Sequence, residues 1–209
     1  MLLFIFFKDK KSLLNHKTLF RGMILGALLA TTYISQTIGL KYTSSGHSAF
    51  ITSAGVIIVP ILLFLFFKRI LKTQEIIILF IVTMGLYFLT YDSATILNIG
   101  DLITLITAFS LAWHLILSGK YVHNTAVLAL LGYLFLFAAI FSFILYVSTQ
   151  TVSFALSTNE SLALVYLGFI GTLFCYFVSV WAQKQVDTVT VALIFTLEPV
   201  FAALFAWFF

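Results

Sequence analysis

The chain has 209 residues, of which 62% are apolar and only 9% charged, with a formal net charge of +4. An ordinary soluble domain carries about 25% charged residues, and a globule of this size cannot cover its surface with so few. These proportions exclude a soluble enzyme, a nucleic-acid-binding domain and a disordered chain. They predict an all-α membrane protein whose immediate partner is the lipid bilayer.

Met1–Phe7 is apolar but precedes the basic residues Lys8, Lys10 and Lys11, the reverse of a signal peptide, and it is too short for one. A spanning helix needs roughly 20 mostly apolar residues. Seven segments qualify as candidates: Leu19–Leu40, Ser48–Phe67, Ile76–Thr90, Leu102–Gly119, Ala126–Val147, Leu162–Ala182 and Val189–Phe209. In lipid, backbone groups must pair within the segment, so these runs predict helices and not open strands. Ile76–Thr90 is short for a crossing, and charge placement tests it. With seven crossings, Lys8, Lys10, Lys11, Lys17, Arg21, Lys68, Arg69, Lys72, Lys120 and Lys184 share one side, and only Lys41 lies on the other. Without the third crossing the split weakens to eight against three. The positive-inside rule therefore favours seven crossings, with residues 8–21 cytoplasmic, in the cell membrane. Asp92, Asp101 and Glu160 then fall outside, where acids carry little topological weight.

A sparse internal repeat appears at an offset of 143 positions. It sets Tyr33 on Tyr176, Lys41 on Lys184, Ala49 on Ala192, Ile51 on Ile194 and Ser53 on Thr196. Span one then matches span six and span two matches span seven. Five spans is an odd separation, so matched helices run in opposite directions, the inverted repeat of many secondary transporters.

The stretch Gln36–Thr52 (QTIGLKYTSSGHSAFIT), running on to Val59-Pro60, resembles the EamA-like family of the drug/metabolite transporter superfamily. So do Gly100-Asp101-Leu with the Ala112-Trp113-His114 helix, and Trp181-Ala-Gln-Lys with the closing run Ala192–Trp207 (ALIFTLEPVFAALFAW). The resemblance implies a polytopic helical bundle of ten spans in two inverted five-span halves. About seven of those spans are present, the family's third to ninth. Residues 1–97 form an incomplete N-terminal half (family spans two to five), and 98–209 an incomplete C-terminal half (spans six to nine). The expectation is a chain truncated at both ends. The implied activity is transport of small metabolites, amino acids or related compounds, by alternating access, as a monomer or homodimer. The alternative is a truncated remnant or membrane scaffold that does not transport.

Glu198 is the sharpest chemical feature, an acid near the middle of an apolar span beside Pro199. A charge at the bilayer centre costs about 2.5–3.5 kcal/mol on insertion scales. Two readings stand: a proton-coupling or substrate-contacting carboxylate, and a protonated Glu bonded to a neighbouring helix. On span four, Thr107, Ser110, His114 and Ser118 recur at three- and four-residue steps and share one face. His114 either contacts substrate or relays a proton, or it bonds a backbone carbonyl across a helix pair. Tyr33 and Gln36 lie one turn apart, and Tyr33 with its repeat mate Tyr176 either flanks a central site or packs locally. The hydroxyls of the mates Ser53 and Thr196 either face the cavity or bond back to their own helices. Gly168, Thr172, Cys175 and Ser179 on span six, and Gly22 and Gly26 on span one, read as packing stripes.

The lone cysteine, Cys175, reads as a packing residue. Neither a cofactor nor a metal site is expected, since CxxC, HExxH and phosphate-loop patterns are absent. The last span contains no lysine for a retinal Schiff base, and one acid and one histidine on different helices are too little for an intramembrane protease.

Overall fold

The computed structural model describes residues 15–90, 98–149, 157–195, 197 and 201. Among these every regular element is helical. We number them α1 (His16–Gly39), α2 (Ser45–Ser53 and Gly55–Phe67), α3 (Thr73–Thr90), α4 (Ile99–Val122), α5 (Val127–Thr149), α6 (Thr158–Ala182) and α7 (Thr188–Phe195). Five of them, α1, α2, α4, α5 and α6, are long and apolar enough to cross a membrane. The chain is thus a multi-pass membrane protein of helical type. The short third candidate falls on α3, which gains a turn at its start. The seventh candidate begins with α7, and most of its remaining length lies outside the described residues.

α1, α2, α3, α4 and α6 begin earlier than their apolar runs because polar residues cap them. The Asn15 side chain accepts from the Lys17 N–H at 2.9 Å, opening α1. The Ser44 hydroxyl accepts from the His47 N–H, opening α2. Glu75, in the first turn of α3, accepts from the Lys72 N–H at 2.9 Å. Asn98 and Asp101 exchange bonds at the start of α4: the Asp101 N–H donates to Asn98 Oδ1 and the Asn98 N–H to Asp101 Oδ2. Ser157 and Glu160 do the same for α6. Such reciprocal capping satisfies two backbone donors that a bilayer edge would otherwise leave bare.

Two helices depart from regular α geometry. α2 is interrupted at Ala54 and contains Pro60, which frees the carbonyl of Val56 from its usual N–H. α6 carries an eight-residue π-helical stretch, Leu167–Phe174, longer than the single turns in which that geometry is ordinarily found.

The chain divides into two compact units that interleave along the sequence, residues 1–30 with 118–185 and residues 31–117 with 186–209. In the first unit α1 packs against α5 through glycines. A Cβ on Gly22 would collide with that of Tyr133, and one on Gly26 would stand 2.7 Å from the Leu134 carbonyl oxygen. The expected packing role of these glycines is thus visible as backbone contact. Gly168 differs, because a Cβ there would meet nothing within 4 Å. Arg21 fastens α1 to the α4–α5 turn. It donates to the Thr125 hydroxyl at 2.7 Å and to the Asn124 carbonyl, with its guanidinium 5.3 Å above the Tyr121 ring.

The second unit is polar at one end and apolar at the other. Its apolar part joins Val56, Val59, Leu62 and Leu63 of α2 to Ala112, Leu115 and Ile116 of α4 and to Val189, Val191 and Ala192 of α7. At about 25 cal/mol per Å² of buried apolar surface, this cluster is the main cohesive element of the unit. Phe66 meets Trp113 edge-on at 5.1 Å on its margin. Beyond it, α2 ends with Lys68 in a left-handed conformation (φ 53). That turn aims Arg69 at Glu75 of α3 and at Asp187, the residue preceding α7.

Candidate functional site

The polar end of the second unit is built from α1, α2 and α4. Its buried side chains are Thr32, Ser35, Ser48, Asp101, Thr104, Thr107 and Ser110. On α4 they recur every third residue from Asp101 to Ser110 and continue to His114, so they form one face. That face lengthens the stripe expected from Thr107 to Ser118 by two residues toward the helix start. Gly39 and Gly100 make the close approach of α1 and α4 feasible. A Cβ on Gly100 would stand 2.7 Å from the Gly39 carbonyl, and one on Gly39 only 2.5 Å from the Thr104 hydroxyl.

Hydrogen bonds within this face join elements far apart in sequence. The Ser35 and Thr107 hydroxyls are 2.8 Å apart and join α1 to α4. Thr104, by contrast, returns its hydroxyl to the Gly100 carbonyl of its own helix. Asp101 is 3% exposed, yet both its oxygens are used. Oδ1 accepts from the Thr43 hydroxyl at 2.5 Å, Oδ2 accepts from the Asn98 N–H at 2.9 Å, and His47 Nδ1 stands 3.7 Å from Oδ1. Ser48 and Thr52 lie one turn apart on α2, and their hydroxyl oxygens are buried without a hydrogen-bond partner.

His114 is 2% exposed, where the polar face of α4 meets the apolar cluster. Ser118, farther along α4, belongs to the other unit and donates to Gln183 Oε1 at 2.5 Å, both residues being buried.

The other expected site residues are spread between the two units. Tyr33 is exposed, and Gln36, one turn later, is half-buried. Ser53 uses its hydroxyl on the Ala49 carbonyl at 2.8 Å, the local bond that is one of its two readings. Tyr176 belongs to the other unit, where its ring meets Phe135 edge-on at 6.1 Å. Thr196 and Glu198 lie outside the described residues. Tyr33, Gln36, Ser53 and His114 therefore share one unit.

Reasoning from sequence misses Asp101, Thr43 and His47 as a site, although the signals are present. Asn98-x-x-Asp101 has the spacing of a capping box, and Gly100-Asp101 belongs to the motif behind the resemblance. Among the described residues, no three His, Cys, Asp or Glu side chains come together as metal ligands. An open hollow of about 430 Å³ on α6, lined by Leu164, Val165, Gly168, Phe169 and Leu173, is apolar and lies in the unit without the Asp101 face.

Comparison with known proteins adds three findings. The family described as the EamA-like transporter family matches residues 1–91 and 98–209. An uncharacterized transporter of Archaeoglobus fulgidus is 28% identical over 187 residues, 88% of this chain. The chain spans 59% of that relative's length. A protein crystal structure superposes with a TM-score of 0.72 at 14% identity, covering 90% of this chain and 76% of the other, a likeness of fold.

Proposed function

Because the chain belongs to the EamA-like transporter family, we propose that it forms the membrane-embedded body of a carrier for small metabolites, amino acids or related compounds. The carrier works by alternating access, with residues 1–97 and 98–209 as its inverted halves. The observation that carries this reading is the buried polar face of α4 from Asp101 to His114. Polar side chains within a membrane helix are costly and ordinarily mark a solute or ion route. His114 supplies a hydrogen-bonding imidazole at the inner limit of that face, and Glu198 a second ionisable group on the last span. The turns bearing Lys68, Arg69, Lys72, Lys120 and Lys184 face the cytoplasm of a cell membrane, as their charge favours.

The test is uptake of a mixed amino-acid and metabolite panel by proteoliposomes containing the protein, with His114→Gln and Glu198→Gln in parallel. The expected outcome is saturable uptake by the parent, reduced about tenfold or more in at least one variant, the loss of roughly one charge-assisted interaction. Uptake indistinguishable from empty liposomes would sink the transport reading and leave a membrane scaffold. Parent-like uptake in both variants would remove these two residues from the solute path.

A further inference from the structure

We infer that Ser48 and Thr52 on α2 are hydroxyls that hold the solute of the carrier proposed above, by a neutral hydrogen-bonding group such as an alcohol or an amide. The inference rests on that reading and gives it a contact on α2, beside the polar face of α4.

Hydroxyls within helices commonly turn back onto the carbonyl four residues earlier. Several here do so. Ser35 donates to the Thr31 carbonyl at 2.7 Å, Thr37 to that of Tyr33 at 2.7 Å, Ser53 to that of Ala49 at 2.8 Å and Thr104 to that of Gly100 at 2.8 Å. Other hydroxyls of the unit reach across it, Ser35 to Thr107 and Thr43 to Asp101. Thr32 and Ser110 have partners as well. Among the described residues, Ser48 Oγ and Thr52 Oγ1 are the hydroxyl oxygens buried without a hydrogen-bond partner. Ser48 as a whole is 1% exposed. An unpaired hydroxyl at such depth costs free energy. Its retention calls for an explanation, and a partner that comes and goes is one.

The surroundings of the pair indicate what that partner is. Ser48 and Thr52 stand one turn apart on one face of α2, and Gly55 continues the row. A Cβ on Gly55 would stand 3.1 Å from the Ala108 carbonyl oxygen, so the row runs toward the contact of α2 with α4. Past Gly55 that contact becomes the apolar cluster of Val56, Val59 and Ala112. The two hydroxyls therefore stand where the polar end of the unit gives way to its apolar part. A hydroxyl donates, accepts and carries no charge. A pair of them matches a neutral group with a donor and an acceptor, whereas a buried ion would need an opposite charge to offset its desolvation. Both oxygens are closed off from solvent, so the partner reaches them when the carrier changes conformation.

The test uses Ser48→Ala and Thr52→Val. In detergent neither should lower the melting temperature, because no bond is lost. Thr107→Val, which breaks the bond to Ser35, should lower it. In proteoliposomes, uptake is compared within pairs of solutes that differ by one neutral polar group: serine with alanine, threonine with valine, asparagine with leucine. The parent should prefer the polar member of at least one pair. Each variant should reduce that preference about fivefold, the worth of roughly one hydrogen bond, without slowing uptake of the apolar member. Thr52→Ser retains a hydroxyl and should retain the preference. A melting temperature lowered as far as in Thr107→Val, or a variant that does not fold, shows a hydroxyl already partnered in the empty protein and overturns the inference. So does equal loss of uptake for both members of a pair, the mark of a structural role. Uptake by the parent without preference, or a preference that survives in both variants, overturns the contact while transport stands. Absence of uptake by the parent overturns the transport reading and this contact with it.

Discussion

Arg69 donates to Glu75 at 2.8 Å and lies 2.5 Å from Asp187, so one guanidinium holds three segments of the second unit. Its replacement leaves two carboxylates facing each other without a cation. Arg69→Met is expected to lower thermal stability in detergent by about 1–3 kcal/mol, since Glu75 is only 13% exposed and removing one partner strands the other. Lys72→Met, an exposed site nearby, should change it by less than about 0.5 kcal/mol. Equal melting temperatures for the two variants would show that the Arg69 contacts contribute nothing measurable. Single residues are unevenly legible in the sequence. His114 and its stripe can be read from spacing because an i, i+3, i+4 pattern is a property of one helix. The pairing of Asp101 with Thr43 and His47 cannot, since it depends on how α4 meets the α1–α2 turn. Counting Asp101 as a weak topological signal says nothing about its hydrogen bonding.

The crossing of α1 and α5 depends on Gly26, where an added methyl would press on the Leu134 carbonyl oxygen at 2.7 Å and the Phe137 Cβ at the same distance. Gly26→Ala should cost about 1–3 kcal/mol through forced separation of the backbones. Gly46→Ala, with nothing within 4 Å, should be close to neutral. Comparable losses in both would mean that backbone entropy and not helix contact sets the effect. Element positions are legible in the sequence, since each apolar run reports burial in lipid or core directly. Their starts are less so, because Ser44, Glu75 and Asn98 are capping signals that lie before the apolar residues. The stripe along span six illustrates a further limit. Gly168 and Thr172 sit in the π-helical stretch whereas Cys175 and Ser179 come after it. A spacing rule for 3.6 residues per turn does not carry one face across a change of helical pitch, and Gly168 itself lies in a stretch, residues 157–171, that is exposed on every side among the described residues.

At the level of the molecule, membership of a transporter family and a helical membrane fold are both legible, because composition and motif survive without any knowledge of contacts. The interleaving of residues 1–30 with 118–185 is not, since it arises from packing between distant segments. Orientation is tested by single cysteines at positions 41 and 72 in a Cys175→Ser background. Cysteine at position 72 should react only with a reagent present in the cytoplasm, and at position 41 only with one applied outside. Labelling of both from one side would remove the crossing by α2, and a reversed pattern would invert the proposed orientation.

The uneven second unit has an electrical consequence. A membrane voltage falls mainly across the least polarisable layer, which here is the apolar cluster around Val59, Leu62, Leu115, Ile116 and Ala192. A full crossing is worth about 2.3 kcal/mol per elementary charge per 100 mV. Asp101 lies about three helical turns from Ala112 along α4, outside that layer, whereas His114 falls between Ala112 and Leu115, within it. A charge placed at the level of Asp101 would therefore cross less of the drop than one carried past His114, so only the latter step would draw strongly on the voltage.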